Sequence, residues 1–308
     1  MRIVFFGTPE FAVEALKAVV QGGMHEVVLV VTQPDRPTGR KRALSPPPVK
    51  QFADSRGISV FQPETLDADA RARIRATRPE VGVLVAYGAR IPEELIAGFP
   101  KGIVNIHPSL LPRHRGATPI EGAIRAGDRE SGVSLMLIDP ELDHGPVIGA
   151  RTIPLTGSET AVSLRAAMVP LMRDLLTREF PRFVKGDLTP VPQDHGRATF
   201  TRQIRDEDAR IDWSAPVEEV ERLVRAMHGG VVAWTKWGET RIRIHRARGA
   251  AGAGDGKTGI LSVRDGMPAV SCSNGWLLLD ELQLAGGKPM GGAAFLNGHP
   301  NLIGTVLV

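Results

Sequence analysis

The chain of 308 residues has a single cysteine, Cys272, so no intrachain disulfide framework can form and Cys-rich zinc modules are excluded. No apolar run approaches the roughly 18 residues that a membrane-spanning helix needs. The best apolar stretches, residues 27–31 and 81–86, have the length of strands. No secretion signal is apparent: the N-terminal segment turns at Gly7 too early and soon meets acidic Glu10 and Glu14. There is no strong excess of either charge, with 38 Lys and Arg against 34 Asp and Glu. The net +4 divides into +3 for residues 1–190 and +1 for residues 191–308, so any nucleic-acid binding has to come from local clusters. Internal repeats are absent. What remains is a soluble protein, expected in the cytoplasm, with 42% hydrophobic and 23% charged residues, which excludes whole-chain disorder. The length suits roughly two domains.

The first half alternates short β-branched runs with helical patterns. Strands are expected at 2–6, 26–32, 58–61, 81–86, 103–106 and 133–138, and helices at 49–56, 68–77 and 118–126. After the first strand, Gly7 permits a tight turn, Thr8 is the expected N-cap of a helix starting at Pro9, and Gly22-Gly23 ends it. Strands that are apolar throughout suit a sheet covered on both faces. The expected fold is therefore α/β, a doubly wound, mostly parallel, Rossmann-like sheet with ligands beyond the carboxyl ends of the strands. A helix is expected around 160–179. Prolines 181, 190 and 192 then mark a linker, set at 186–205 between a domain of residues 1–185 and one of residues 206–308. In the latter a helix at 216–227 precedes short alternating runs at 231–237, 240–245, 259–263, 269–271 and 276–284, the pattern of a small, OB-like β-barrel.

Two nucleotide-binding leads fail on context. Residues 251–258 resemble a phosphate-binding loop with alanine for its first glycine, but a strand pattern follows where the mechanism needs a helix, so a glycine-rich loop between strands is expected. The first strand–turn–helix has only Gly7, with Pro9 where a further glycine would admit a pyrophosphate, which rejects NAD.

The informative segment is residues 103–116. Asn105 and His107 stand two apart at a strand's carboxyl end and so share a face, and Pro108 stops the strand just beyond them. An amide donor beside an imidazole at the ligand edge can hold a developing oxyanion. The bland alternative is a histidine bonded to a nearby backbone carbonyl. Three acids follow the next strand as possible partners of the histidine: Asp139 is expected to initiate a turn before Pro140, and Asp143, beside His144-Gly145, is preferred over Glu141. No metal-ligand spacing is present.

Two basic clusters accompany that site. Residues 32–42 leave the second strand with Arg36, Arg40, Lys41 and Arg42 against Asp35, on the same carboxyl edge, where a phosphate-bearing substrate is plausible. Arg241, Arg243 and His245 alternate onto one strand face, followed by Arg246 and Arg248, which reads equally as a phosphate-contact patch or a solvated face.

Across nearly its whole length the chain resembles the methionyl-tRNA formyltransferase family. The resemblance rests on Phe6-Gly7-Thr8-Pro9, Thr32-Gln33-Pro34-Asp35-Arg36-Pro37 with Gly39-Arg40, and Val85-Ala86-Tyr87-Gly88. It rests further on the segment from Asn105 to Arg113, on Leu142-Asp143-His144-Gly145 and on Ala209-Arg210-Ile211-Asp212-Trp213. It implies formyl transfer from 10-formyltetrahydrofolate, as co-substrate, to the α-amino group of methionine on initiator tRNA, without a metal. By the same resemblance Asn105 and His107 stabilise the oxyanion, and Asp143 orients the histidine and moves protons. Ser109, Leu110, Leu111 and Pro112 line the folate site. Arg36, Arg40, Lys41 and Arg42 enter the acceptor end of the tRNA, while Arg241 and Arg243 lie on a barrel that grips phosphates. A monomer is the family expectation. Two departures are visible: His228-Gly229-Gly230-Val231 stands where an asparagine-proline-tryptophan-proline turn is usual, and Glu141 adds negative charge near Asp143. An amino-sugar N-formyltransferase is the alternative acceptor class, a hydrolase of formyltetrahydrofolate is a weaker one, and an RNA-binding protein without activity is a third.

Overall fold

The computed structural model describes the chain except Met24, residues 39–42, Ala251, residues 253–255 and the side chain of Thr38. The expected tRNA contacts Arg40, Lys41 and Arg42, and half of the glycine-rich stretch 251–258, therefore lie outside the described residues. The chain forms two compact units. The first comprises Met1–Pro119, Glu130–Pro154 and Arg165–Thr201, and the second comprises Ile120–Arg129, Leu155–Leu164 and Arg202–Val308.

The first unit is built on a seven-stranded sheet in the order Val147–Pro154, Glu130–Leu137, Ile103–His107, Val81–Val85, Arg2–Gly7, Glu26–Val31 and Val60–Phe61. The last five run parallel, and Glu130–Leu137 is antiparallel to both of its neighbours. From Arg2–Gly7 the chain first winds outward to one side, then returns to Val81–Val85 and continues to the other, the arrangement that opens a crevice at the carboxyl ends of the strands. Every residue of Ile103–His107 is buried, because the strand has a sheet neighbour on each side and both faces are covered. Val4, Phe6, Val31, Ile74, Leu95 and Ile103 share one apolar cluster, each with no exposed surface.

Several local expectations change. Thr8 does not cap the first helix: the helix is Glu10–Gln21 with Pro9 at the cap, and the Thr8 hydroxyl donates instead to Tyr87 O at 2.8 Å. The element expected at 160–179 is a helix Ala161–Asp174, a π-turn Leu175–Glu179 and a further helix Phe180–Lys185. Pro181 has no amide hydrogen for the next i→i−4 bond, and the Phe180 N–H reaches Leu175 O, five residues back. Residues 186–201 are structured rather than an open linker. Val191 exchanges two backbone bonds of 2.8 Å with Val147, and Phe200–Thr201 pairs in parallel with Arg115–Gly116. The last crossing of the chain from the first unit to the second accordingly falls after Thr201, and residues 120–129 and 155–164 already belong to the second unit, unlike the contiguous division expected.

The second unit carries a curled antiparallel sheet in the order Trp234–Trp237, Thr240–Ala250, Trp276–Leu284, Met267–Ser271 and Leu261–Arg264, with Met290–Gly291 added beside Trp276–Leu284. Ile260 bridges Val306 and Lys236 exchanges backbone bonds of 2.6 and 2.9 Å with Val308, so residues 304–308 span both edges and close the half-barrel expected as OB-like. Helix Val217–Met227 buries Val220, Leu223 and Val224 along one face. Gly229, in the segment that stands where the family's usual turn is expected, has φ +82°, a conformation that favours glycine, and a Cβ there would lie 2.2 Å from Val162 Cγ2, which would have to shift.

Candidate active site

Asn105 and His107 leave the strand Ile103–His107 on the same face, as their spacing requires, and both are buried. Asp143 reaches them from the loop after Glu130–Leu137. Its Oδ1 accepts from Asn105 Nδ2 at 3.4 Å, its Oδ2 lies 3.6 Å from His107 Nδ1, and the same Oδ2 accepts from Gly116 N at 2.7 Å. Of the three acids, the structure therefore brings Asp143 to the amide and the imidazole. Asp139 initiates a turn as expected, accepting from Glu141 N at 3.0 Å, and its other oxygen holds His144 Nδ1 at 2.6 Å. The Glu141 side chain is 74% exposed and lies 3.9 Å from His144 Nε2.

Asp143 is aimed by its backbone. Its φ is +47°, a left-handed conformation that is costly for a residue with a Cβ. Gly145 beyond it has a position where a Cβ would sit 2.1 Å from Leu137 O, so the loop can double back against its own strand only with glycine there. Gly116 supplies the strongest bond to the carboxylate. It stands at φ +109° with Thr201 O 2.0 Å from where a Cβ would be.

The histidine satisfies both readings of it. His107 Nε2 lies 2.9 Å from His114 O, and a carbonyl only accepts, so Nε2 carries a hydrogen. Nδ1 is left facing Asp143, an acceptor when the ring is neutral and a second donor when it is charged. The loop between them is held from behind. Ser109 is fully buried, its hydroxyl donates to Arg113 O at 2.6 Å, and its carbonyl accepts from Ser134 Oγ at 2.7 Å. Ser109 therefore shapes the loop instead of lining a surface, whereas Leu110, Leu111 and Pro112 are half-buried, with a cis bond between Leu111 and Pro112. One residue before Asp143, Leu142 is 62% exposed and offers apolar surface beside the carboxylate.

The basic residues separate into engaged and open ones. Arg36 is exposed on a hairpin of Arg36–Thr38 and Ala43–Ser45. Asp35 does not offset that hairpin's charge. Gln62 and Lys50 bond its carboxyl at 2.7 and 3.0 Å and hold it below the usual carboxylate range. In the second unit Arg241 is not an open phosphate contact. It makes two bonds to Asp206, at 2.7 and 3.0 Å, and lies 4.0 Å over the Trp234 ring. Arg243 is exposed and makes no hydrogen bond or close ion pair among the described residues, although its charge, after the bond from Arg241, helps hold Asp206 below the usual carboxylate range. Irregularities on either side of Arg246 in Thr240–Ala250 shift the alternation, so Arg246 and Arg248 face solvent too, paired with Glu281 and Asp280.

The residues that sequence reasoning missed are backbone and buried partners: Gly116, His114 and Gln193. A backbone N–H or C=O has no residue identity to read, and Gln193 lies in the proline-flanked segment that the sequence marks as a linker. Among the described residues no cluster of His, Cys, Asp or Glu has the makings of a metal site, and no helix is long and apolar enough to cross a membrane.

Residues 1–178 match the model of the family described as formyl transferase, and residues 203–300 match that of the formyl transferase C-terminal domain. The methionyl-tRNA formyltransferase of Chloroflexus aurantiacus is 44% identical over 301 residues, covering 97% of each chain. Among solved structures, the N-formyltransferase of Helicobacter canadensis in complex with folinic acid and dTDP-3-aminofucose has a TM-score of 0.66 at 15% identity, covering 90% of this chain and 97% of that one. The methionyl-tRNA formyltransferase of Clostridium thermocellum has a TM-score of 0.54 at 16% identity, covering 95% of this chain and 100% of that one. At such identities the structural likenesses speak for the fold alone.

Proposed function

Because the chain belongs to the formyl transferase family, and within it to the methionyl-tRNA formyltransferases, we propose that it transfers the formyl group of 10-formyltetrahydrofolate to the α-amino group of methionine on initiator methionyl-tRNA, for translation initiation. The observation that carries the chemistry is the meeting of Asn105, His107 and Asp143 at the carboxyl end of a central strand. The acceptor rests on the identity of 44% across 97% of both chains. The enzyme works in the cytoplasm as a monomer.

The co-substrate supplies an electrophilic formyl carbon, and the chain supplies the groups around it. Asn105 Nδ2 has two hydrogens, of which one is directed at Asp143 over a long 3.4 Å. The other is available to the formyl oxygen as negative charge grows there, and such a donor is typically worth about 2.7–4 kcal/mol of barrier. His107 works through Nδ1, because Nε2–H is committed to His114 O. With the ring neutral, Nδ1 accepts the proton of the attacking amine. Once charged, the ring donates to the oxyanion, and Asp143 stabilises it from 3.6 Å. Asp143 then helps return the proton to the departing nitrogen of the folate. Leu110 and Leu111, half-buried, and the exposed Leu142 give a flat co-substrate apolar surface beside these polar groups. The exposed cations, Arg36 on its hairpin and Arg243 on the curled sheet, contact tRNA phosphates, and so do Arg40, Lys41 and Arg42, which follow Arg36 in the sequence.

The test offers 10-formyltetrahydrofolate with methionyl-tRNA or with a nucleotide-linked amino sugar. Formylmethionine, recovered after mild ester hydrolysis of the tRNA, is expected from the first alone. Formylation of the sugar alone overturns the acceptor assignment while leaving formyl transfer intact.

A further inference from the structure

We propose that Gln193 is a positioning residue of this active site: its carboxamide clamps the Asp143 turn in the left-handed conformation that presents the carboxylate to Asn105 and His107. The proposal rests on Asp143 acting in formyl transfer as set out above. Gln193 comes from the proline-flanked segment that follows helix Phe180–Lys185, and the two bonds between Val191 and Val147 fix where that segment lies.

Each hydrogen-bonding capacity of the Gln193 side chain is used. Nε2 donates to Asp143 O at 2.9 Å and to Gly145 O at 2.7 Å. Oε1 accepts from Arg115 Nε at 3.2 Å and from Arg115 Nη2 at 2.8 Å. The reversed amide would set its oxygen against two carbonyls and its N–H groups against a guanidinium, so only one orientation satisfies the site. Gln193 is 8% exposed and Arg115 3%, which leaves little water to replace a lost partner. Arg115 Nη2 is anchored in turn at 2.9 Å from His195 Nδ1.

The neighbouring residue closes the loop of contacts. Arg115 reaches the peptide side of Asp143 through Gln193, and Gly116 binds the Asp143 carboxylate directly at 2.7 Å. One dipeptide thus supports both ends of the same aspartate. The turn it supports includes φ +47° at Asp143, a conformation that persists where surrounding bonds over-determine it. Without the clamp the turn can relax, and a displacement of about 1 Å at a reacting group costs roughly 100-fold in rate.

The experiment is a double-mutant cycle on the full chain, read by single-turnover formylation of methionyl-tRNA. Gln193→Met is expected to lower the formyl-transfer rate roughly 100-fold, with the KM for each substrate changed less than about 2-fold. Placed on Asp143→Asn, the same substitution is expected to cost nothing further, because residues that act as a unit are not additive. A multiplicative loss in the double variant, or a loss confined to KM, overturns the proposal. Full activity of Asp143→Asn alone overturns instead the reading of the site on which the proposal stands. If Gln193→Met does not fold, Gln193→Glu carries the same cycle, since it keeps the side chain's shape and its bond to Arg115 while replacing both donated hydrogen bonds with repulsion.

Discussion

The Gly116 amide and the Asp143 carboxylate meet at 2.7 Å across 27 residues of chain, which makes a backbone N–H the shortest of the three contacts that orient the carboxylate. The approach depends on glycine twice over. The φ of +109° is a region that other residues avoid, and an added Cβ falls 2.0 Å from Thr201 O.

Gly116→Ala is therefore expected to push residue 116 away from Thr201 and to take its N–H from Asp143. The formyl-transfer rate should fall roughly 100-fold, and stability should fall by about 1–3 kcal/mol. Stopped-time formylation and urea unfolding check the two losses separately. An alanine variant with unchanged rate contradicts the orienting role of this bond.

Arg241 and Arg243, two of the arginines on the Thr240–Ala250 strand, are expected to behave differently. Arg243→Ala should weaken tRNA binding and reduce the salt slope by about 1, leaving stability unchanged. Arg241→Ala should lower stability instead, since it breaks the pair with Asp206 and removes the guanidinium stacked on Trp234. Alanine at Arg40, Lys41 and Arg42 together should flatten the salt dependence by roughly two to three log units per log unit of salt, with folate binding unaffected. Binding measured at several salt concentrations separates these cases, and an unchanged slope in the triple variant removes the loop from the tRNA interface.

His25 predicts a pH dependence of stability. Its ring packs edge-on at 5.4 Å from Phe180, and neither ring nitrogen has a hydrogen-bond partner among the described residues. Burial holds the imidazole below its ordinary 6.5, with the N-terminal ammonium adding to the effect. The folded-state pKa is thus below the unfolded one. As pH falls through 6.5 the unfolded chain takes up the proton first, so stability declines from there down to the folded-state pKa. His25→Leu should lose this component, and its unfolding free energy should change less between about pH 8 and about pH 5 than that of the parent chain. Equal pH dependence in the two proteins contradicts the assignment.

Much of the site was legible from residue order because strand periodicity carries it. Asn105 and His107 share a face at any register of their strand, and Pro108 marks where that strand must stop. The choice among Asp139, Glu141 and Asp143 was less accessible, since it turns on a left-handed φ at Asp143 that no local pattern announces. The partners of Asp143 were the least accessible. Gly116 contributes a backbone hydrogen, and Gln193 is brought in by the pairing of Val191 with Val147, a relationship between distant segments. Thr8 shows the same limit on a smaller scale, its hydroxyl taken by Tyr87 O rather than by its own helix. On the curled sheet, alternation read correctly as far as His245, where the irregularities around Arg246 reset it.

The most direct test of the account is to compare formyl transfer and tRNA affinity in Asn105→Ala and His107→Ala. If Asn105 Nδ2 and His107 Nδ1 serve the developing oxyanion and the migrating proton, each variant loses roughly 100-fold to 1,000-fold in single-turnover rate and binds methionyl-tRNA as the parent does. Retained turnover with a large loss of tRNA affinity would contradict it, and would make the pair a tRNA contact instead of the centre of the chemistry.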